Sequence, residues 1–186
     1  DKWVTEDRLF PARRRMDLVR FRSERKNKKD TVKSVVFVTH SHGGGVERVV
    51  QQRAVALQRD GLRVLILRST KTGCVLQDAA DRDGSMPSLV FSLPDEWSLL
   101  RRLLRAETVQ WVEFHHLADH HALLYTLPPH LACAYDVYVH DYAWFCQRIS
   151  LLGPYGTYCG EPDVAGCVTC VALAGRHIAE TIDVPA

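Results

Sequence analysis

Residues 34–50 read SVVFVTHSHGGGVERVV, an apolar run followed by two histidines, three glycines and the start of a helical pattern. The run at 34–40 is short and β-branched, which is typical of a strand buried in a parallel sheet. From Val46 to Asp60 the apolar residues recur at helical spacing, and Gly61 then ends the pattern. A strand, a glycine-rich turn and a helix in this order predict the first unit of an α/β domain.

The same alternation continues along the chain. The predicted elements are strands at 62–69, 88–93, 109–116 and 134–141 and helices at 95–107 and 119–127. Residues 70–87 are polar and are predicted to be a loop that holds at most a small edge strand, and Pro128–Pro129 predict a break. Strands that alternate with helices predict a Rossmann-like, doubly wound parallel sheet with helices on both faces.

Composition and charge restrict the class of protein. The chain has 186 residues, 46% of them hydrophobic, which suits one globular domain. No apolar run approaches the roughly 18 residues that would span a bilayer. Residues 1–33 carry 12 Lys and Arg against 6 Asp and Glu. Because acids are interspersed among the bases, we interpret residues 1–30 as a solvated linker or the tail of an upstream region, and 31–186 as the domain. A nucleic-acid-binding arm is the alternative.

The triglycine lies between the first strand and the first helix, at the sheet edge where open α/β folds bind ligands. Gly43, Gly44 and Gly45 let a ligand approach the main chain, and the free amides of a helix's first turn favour an anion. The dinucleotide motif G-x-G-x-x-G is incomplete because its third glycine is replaced by Arg48, and the G-K-[ST] of a phosphate loop is absent. We therefore predict a ligand loop of another kind; a tight turn without a ligand is the alternative.

Three segments together resemble a known family. They are GGGVERVV after a strand that ends in Thr-His, VEFHHL at 112–117 and DVYVHDYAWFC at 136–146. The chain, over roughly residues 34–175, resembles the N-terminal domain of glycosyltransferase family 4, whose members are retaining enzymes with the two-domain GT-B fold. The closest resemblance is to bacterial members with a cysteine cluster.

The resemblance implies roles for individual residues. His140 matches the histidine that the family places beside the donor sugar, and Asp141 follows it, so both are predicted to be catalytic. The predicted substrate-binding residues are Gly43, Gly44, Gly45, Val46, Glu47, His115 and His116. Alternation along a strand sends His115 and His116 to opposite faces, so at most one is expected to face the cleft. For His42 a ligand contact and simple solvation are both open, and His120, His121, His130 and His177 are expected at the surface or in helix packing.

Four of the six cysteines lie in the stretch 145–172, spaced C-x12-C-x7-C-x2-C. A Cys-x-x-Cys pair and two further thiolates complete a tetrahedral zinc site, which predicts structural zinc in a Cys-rich loop. The predicted ligands are Cys146, Cys159, Cys167 and Cys170. Two disulfides and free buried thiols are the alternatives. Cys74 and Cys133 are expected to be lone buried thiols. No catalytic metal is expected, because the chemistry of the family requires none.

The expected function is that of the acceptor-side half of a glycosyltransferase. The partners are then a nucleotide-sugar donor and a glycan or lipid-linked acceptor, without nucleic acid, in the cytoplasm or at the inner face of the membrane with peripheral contact. The Glu-x7-Glu segment of the family's donor-binding C-terminal domain is absent here, so we expect this piece to be inactive alone. The alternatives are another Rossmann-type nucleotide-dependent enzyme, such as an oxidoreductase or epimerase, and a zinc-stabilised module that binds nucleic acid.

Overall fold

The structure is a computed structural model that describes residues 32–81 and 87–176. The predicted linker at 1–30 lies outside the described residues. The strands are β1 (Ser34–Thr39), β2 (Arg63–Thr70), β3 (Gly73–Asp78), β4 (Leu89–Ser92), β5 (Val109–Phe114) and β6 (Ala134–Val137). The helices are α1 (Gly44–Arg59), α2 (Trp97–Ala106), α3 (Leu127–Leu131) and α4 (Val164–Ala174), with 3₁₀ turns at Ala122–Thr126 and Tyr142–Trp144.

The six strands form one mixed sheet in the order β4-β3-β2-β1-β5-β6. Strands β2, β1, β5 and β6 are parallel, as expected. The prediction of an entirely parallel sheet is wrong, because β3 and β4 run antiparallel to their neighbours. The α/β class is confirmed, with a parallel core and an antiparallel extension on one side.

The antiparallel extension follows from the length of one connection. Thr70 pairs with Gly73, so only Lys71 and Thr72 join β2 to β3. A parallel crossover needs a dozen or more residues, whereas two residues suffice for a hairpin. The stretch 70–87, predicted as a loop with at most an edge strand, therefore contributes β3, which lies between β2 and β4 inside the sheet.

Hydrophobic side chains cover both faces of the sheet. On one face Val35, Phe37 and Ile66 pack with the α1 residues Val50 and Leu57. On the other face the β1 residues Val36 and Val38 belong to a larger cluster with the apolar side of α2 and with α3. Successive β1 residues alternate between the two clusters, as the strand geometry requires. Both sheet faces are thus buried, as the continuous apolar runs predict.

The segment after β5 differs from its prediction. The helix predicted at 119–127 is replaced by the 3₁₀ turn Ala122–Thr126 and by α3, and Pro128–Pro129 lie in the first turn of α3 instead of breaking the chain. Proline is tolerated there because the first-turn amides have no partner within the helix.

Strand β6 forms the edge of the sheet beyond β5, and all four of its residues are exposed. It ends at Val137, four residues before the predicted end. Among the described residues, no helix combines the length and the apolar character that crossing a bilayer requires.

Candidate functional site

The parallel strands bring three polar segments to one sheet edge. β1 ends before His40, β5 ends before His115 and His116, and β6 leads to the dipeptide His140–Asp141. Since β1, β5 and β6 are adjacent and parallel, their carboxyl ends meet. The predicted convergence of these residues is therefore present in the structure.

Both histidines after β5 contact the dipeptide after β6. The Nδ1 of His115 lies 3.2 Å from His140 Nε2, and His116 Nε2 lies 3.2 Å from Asp141 Oδ2. His116 also packs edge-on against His40, with 4.5 Å between ring centroids. The two histidines therefore join β1, β5 and β6 at a single site.

His115 and His116 pack against different side chains, His115 against Phe37 and His116 against His40. The backbone amides of both residues donate to the carbonyl of Val38, at 2.9 and 3.2 Å. Two successive amides that share one acceptor cannot follow the alternation of a regular strand. The regular strand therefore ends at Phe114, and the expectation that at most one of the two imidazoles faces the cleft stays a prediction.

The glycine loop opens onto this edge. Gly43 precedes α1 and Gly44 begins it, at φ angles of 75° and 82°, in the left-handed region that favours glycine. A Cβ built at Gly43, Gly44 or Gly45 would meet no other atom within 4 Å, and no side chain caps the helix. The protein itself therefore leaves the space beside the amino end of α1 open.

The other two residues of the predicted loop are held by the protein. Val46 packs against the core cluster of α1. Glu47 accepts two hydrogen bonds from Arg68, at 2.6 and 2.8 Å, and one from Gln51 at 2.6 Å. Burial alone would raise the pKa of Glu47, but the hydrogen bonds from Arg68 and Gln51 outweigh it and lower the pKa. Glu47 is thus an ionised carboxylate that ties the start of α1 to β2.

Asp141 is also engaged by its own surroundings. Its Oδ1 accepts from the backbone amide of Ala143 at 2.8 Å, which caps the 3₁₀ turn Tyr142–Trp144, while its Oδ2 faces His116. Both carboxylate oxygens have partners within the chain. Asp141 therefore fixes the direction of the backbone that follows His140.

Two histidines of the site, His40 and His140, have a pKa below its usual value, which favours their neutral form. Burial lowers the pKa of His40 and of His140, and repulsion from neighbouring histidines lowers each further. A neutral imidazole has one N–H donor and one acceptor nitrogen. Near pH 7 the site can therefore both donate and accept hydrogen bonds, as recognition of hydroxyl groups requires.

A second pocket adjoins the loop on the side of β2 and β3. It has a volume of about 600 Å³, and its lining includes Ser41, His42, Lys71, Asp119 and His120. His42 and Asp119 form an exposed pair at 2.6 Å. Of the two positions expected for His120, the surface or helix packing, the surface is excluded: it is 1% exposed, and its Nε2 donates to the carbonyl of Thr39 at 2.8 Å.

The four clustered cysteines line a separate cavity of about 470 Å³. Cys146 follows the 3₁₀ turn after Asp141. Cys159 comes directly after a loop closed by a bridge between Leu152 and Tyr158, and the Cys-x-x-Cys pair lies on α4. The stretch 145–172 is thus only partly a loop. Burial raises the pKa of Cys167, and the three other thiols of the cluster raise it further.

The oxidation and metal state of this cluster stays a prediction. All four cysteines are free thiols in the structure. In residues 32–81 and 87–176, no three His, Cys, Asp or Glu side chains are close enough together to hold a metal ion as they stand. The donor type and the shared cavity suit zinc, which would draw the four sulfurs together.

The sequence interpretation overlooked the residues that support the histidines. Glu113 is fully buried within β5 and binds Arg53 of α1, with a shortest distance of 2.8 Å from Arg53 Nη2 to Glu113 Oε1. Tyr138 stacks on His115 with 4.4 Å between ring centroids. A signal for Glu113 was present, since a lone carboxylate inside the apolar run VQWVEF requires a partner.

No protein-family model, curated protein or solved structure matches this chain.

Proposed function

We propose that this domain is the Rossmann-like, acceptor-side half of a retaining glycosyltransferase of the family 4 type. The reaction is transfer of a sugar from a nucleotide-sugar donor to a glycan, lipid-linked or other acceptor. The observation that carries the proposal is that the open glycine loop and His115, His116 and His140 all follow adjacent parallel strands and therefore lie at the same carboxyl edge of the sheet. The motif resemblance comes from the same segments.

The chemistry of glycosyl transfer matches these groups. As the bond between the anomeric carbon and the diphosphate breaks, positive charge develops on the sugar and negative charge on the leaving diphosphate. The amides at the amino end of α1 can stabilise an anion, and the open space at Gly43–Gly45 lets it approach. His140, neutral near pH 7, can hydrogen-bond a hydroxyl of the sugar.

The two residues of the dipeptide then have different roles. His140 is the catalytic residue of the proposal because its ring retains a nitrogen that is free for a substrate. Asp141, whose oxygens are engaged by Ala143 and His116, positions the chain after β6. In the resembled family a second domain binds the nucleotide, so we expect this domain alone to bind donors and sugars weakly.

A direct test is a titration of ¹⁵N-labelled protein with uridine and guanosine nucleotide sugars and with simple glycans. We expect amide shifts concentrated at residues 43–47, 115–116 and 140–141, with dissociation constants in the millimolar range. Because one hydrogen bond contributes about 1 kcal/mol, His140→Ala should weaken sugar binding about five- to tenfold.

The matched control for that titration is His130→Ala. His130 contacts Arg101 near α3, away from the site, so its loss should leave the dissociation constant unchanged. The proposal is wrong if no saccharide or nucleotide sugar shifts these amides. Tight binding of a nicotinamide nucleotide at the same amides would support the oxidoreductase alternative instead.

We further propose that Cys146, Cys159, Cys167 and Cys170 hold a structural zinc ion. Four thiols from three segments line one cavity, and none is placed to serve the sheet edge directly. A zinc ion would order a segment that buries little apolar surface of its own. Reduced thiols are consistent with the location that we propose, which is the cytoplasm. For a lipid-linked acceptor the location would be the inner face of the membrane.

Elemental analysis of protein purified without chelators should find about one zinc per chain. Cys167→Ser together with Cys170→Ser should abolish the zinc, whereas Cys133→Ser should not, since Cys133 packs against the main core. Thiol titration distinguishes the alternatives. Absence of zinc with four unreactive cysteines indicates disulfides, and absence of zinc with four reactive cysteines indicates free thiols; either result contradicts the zinc proposal.

A further inference from the structure

Glu113 is a buried carboxylate to which the proposed chemistry assigns no direct part. Its side chain has no exposed surface. Arg53 Nη2 donates to Oε1 at 2.8 Å, and Trp111 Nε1 donates to the same oxygen at 3.0 Å. Burial alone would raise the pKa of Glu113, but contacts with His115, Arg53 and Trp111 outweigh it and hold the pKa at about 2. Glu113 is therefore ionised at every pH at which the domain is studied.

The second oxygen of this carboxylate faces His115. Glu113 Oε2 accepts from Arg53 Nε at 3.2 Å and lies 3.3 Å from His115 Nε2, although the last two atoms lack the alignment of a regular hydrogen bond. A lone pair on Nε2 would be repelled by the carboxylate, so Nε2 carries a proton. Arg53 already balances the charge of Glu113, and a neutral ring completes the buried network without a net charge. His115 Nδ1 is then an acceptor.

The tautomer of His115 determines that of His140. The only His140 nitrogen near His115 Nδ1 is Nε2, at 3.2 Å, and an acceptor at Nδ1 requires a proton on that Nε2. The Nδ1 of neutral His140 is therefore left as an acceptor. The rings of Tyr138, His115 and His140 are stacked, with their planes within 20° of parallel. This stacking fixes the orientation of the two imidazoles relative to each other.

We propose that Glu113 is a positioning residue which, through His115, fixes His140 in the Nε2–H tautomer, so that His140 presents an acceptor Nδ1 to a sugar hydroxyl. The assignment of the tautomer follows from the contacts of these residues. The assignment of a sugar hydroxyl as the group that binds Nδ1 rests on the function proposed above. A purely structural role, in which Glu113 only joins α1 to β5 through Arg53, predicts no dependence of the His140 tautomer on Glu113.

Long-range ¹H–¹⁵N correlation spectra of protein labelled at histidine report the tautomer of each ring. In the unaltered protein near pH 7.5 we expect His115 and His140 both to show a protonated Nε2 and a bare Nδ1, with signals assigned by His115→Gln and His140→Gln. A protonated Nδ1 on His140 overturns the proposal. This spectrum is recorded on the protein with Glu113 unaltered. It therefore determines the tautomer of His140 even where the Glu113 variants fold poorly.

Glu113→Gln then tests the cause. Arg53 Nη2 and Trp111 Nε1 both donate to Oε1, whereas Oε2 accepts only the longer 3.2 Å contact from Arg53 Nε, so the amide oxygen is favoured at the position of Oε1. The NH₂ group then takes the position of Oε2 and donates to His115 Nε2. Both rings should switch to the Nδ1–H tautomer. Trp111→Phe is the matched control, because it removes a donor from the other oxygen and should leave both tautomers unchanged. Unchanged tautomers in Glu113→Gln also overturn the proposal.

The link to substrate has its own readout. If a sugar hydroxyl donates to His140 Nδ1, Glu113→Gln should weaken sugar binding by about the same five- to tenfold as His140→Ala, and the double variant should be no weaker. Correct tautomers with no sugar binding would contradict the glycosyltransferase proposal and leave the positioning role of Glu113 intact. Sugar binding by a protein whose His140 carries its proton on Nδ1 would support the glycosyltransferase proposal and contradict the positioning role of Glu113.

Discussion

Arg63→Met is expected to destabilise the domain by about 3–5 kcal/mol, because it leaves two buried carboxylates without their cation. Arg63 lies at the start of β2. Its Nε donates to Asp78 Oδ2 at 2.6 Å, and its Nη1 donates to Glu107 Oε2. Asp78 ends β3 and is 6% exposed, and Glu107, which follows α2, is fully buried. Urea unfolding should show the loss as a lower midpoint, and the melting temperature should fall by roughly 10 °C.

Two further variants define the cause of that loss. Arg63→Lys keeps the charge but cannot bind both carboxylates as a fork, so it should recover only part of the stability. Arg59→Met changes an exposed arginine at the end of α1 and should stay within about 0.5 kcal/mol of the unaltered protein. A loss below about 1 kcal/mol for Arg63→Met would show that the carboxylates find water or other partners.

Acid is expected to destabilise the domain between pH 6.5 and pH 4 through His120. Burial lowers the pKa of His120 from 6.5 to about 4, against the smaller raising effects of the Thr39 carbonyl and Asp119. In this pH range the unfolded chain therefore binds a proton at His120 that the folded chain does not bind. The contribution of His120 to the free energy of unfolding is therefore fully present above pH 6.5 and decreases as the pH falls. At about 1.4 kcal/mol per pKa unit the full effect is about 3 kcal/mol, of which about 2 kcal/mol is lost by pH 5.

The measurement is the free energy of unfolding at intervals from pH 7.5 to pH 5, in the unaltered protein and in His120→Gln. The glutamine amide can still donate to the Thr39 carbonyl but does not titrate, so the slope with pH should decrease. Some slope should remain, because the pKa values of His40 and His140 are also lowered. Staying above pH 5 keeps the carboxylates out of the measurement. Equal slopes in the two proteins would contradict the assignment to His120.

Local patterns were sufficient for the parallel part of the fold. The apolar run of β1, the helical spacing of α1 and the starts of β5 and β6 were predicted correctly, because each is a short segment whose own residues determine its periodicity, but β5 and β6 end two and four residues before their predicted ends. The strand β4 was predicted, but β3 was missed as a full strand of the sheet. One side of β3 is only half-buried, at Val75 and Gln77, and the stretch was interpreted as a loop from its polar composition.

Local patterns also predicted part of the site. That His140, His115 and the glycine loop lie at one edge follows from strand order alone, since each comes directly after a parallel strand. The partners of those residues could not be predicted. Arg53 is 60 positions from Glu113 in the chain, and Arg68 is 21 positions from Glu47; pairs at such distances leave no periodic signal.

By itself the sequence determined the α/β class, the carboxyl edge as the place of the site, and the four cysteines as one group. These are consequences of local periodicity and of residue chemistry. Only the tertiary structure decided that the sheet is mixed, that both histidines after β5 meet the His140–Asp141 dipeptide, and that Glu113 lies behind them. Those results depend on which distant segments pack together, and hence on the burial and charge balance of the whole domain.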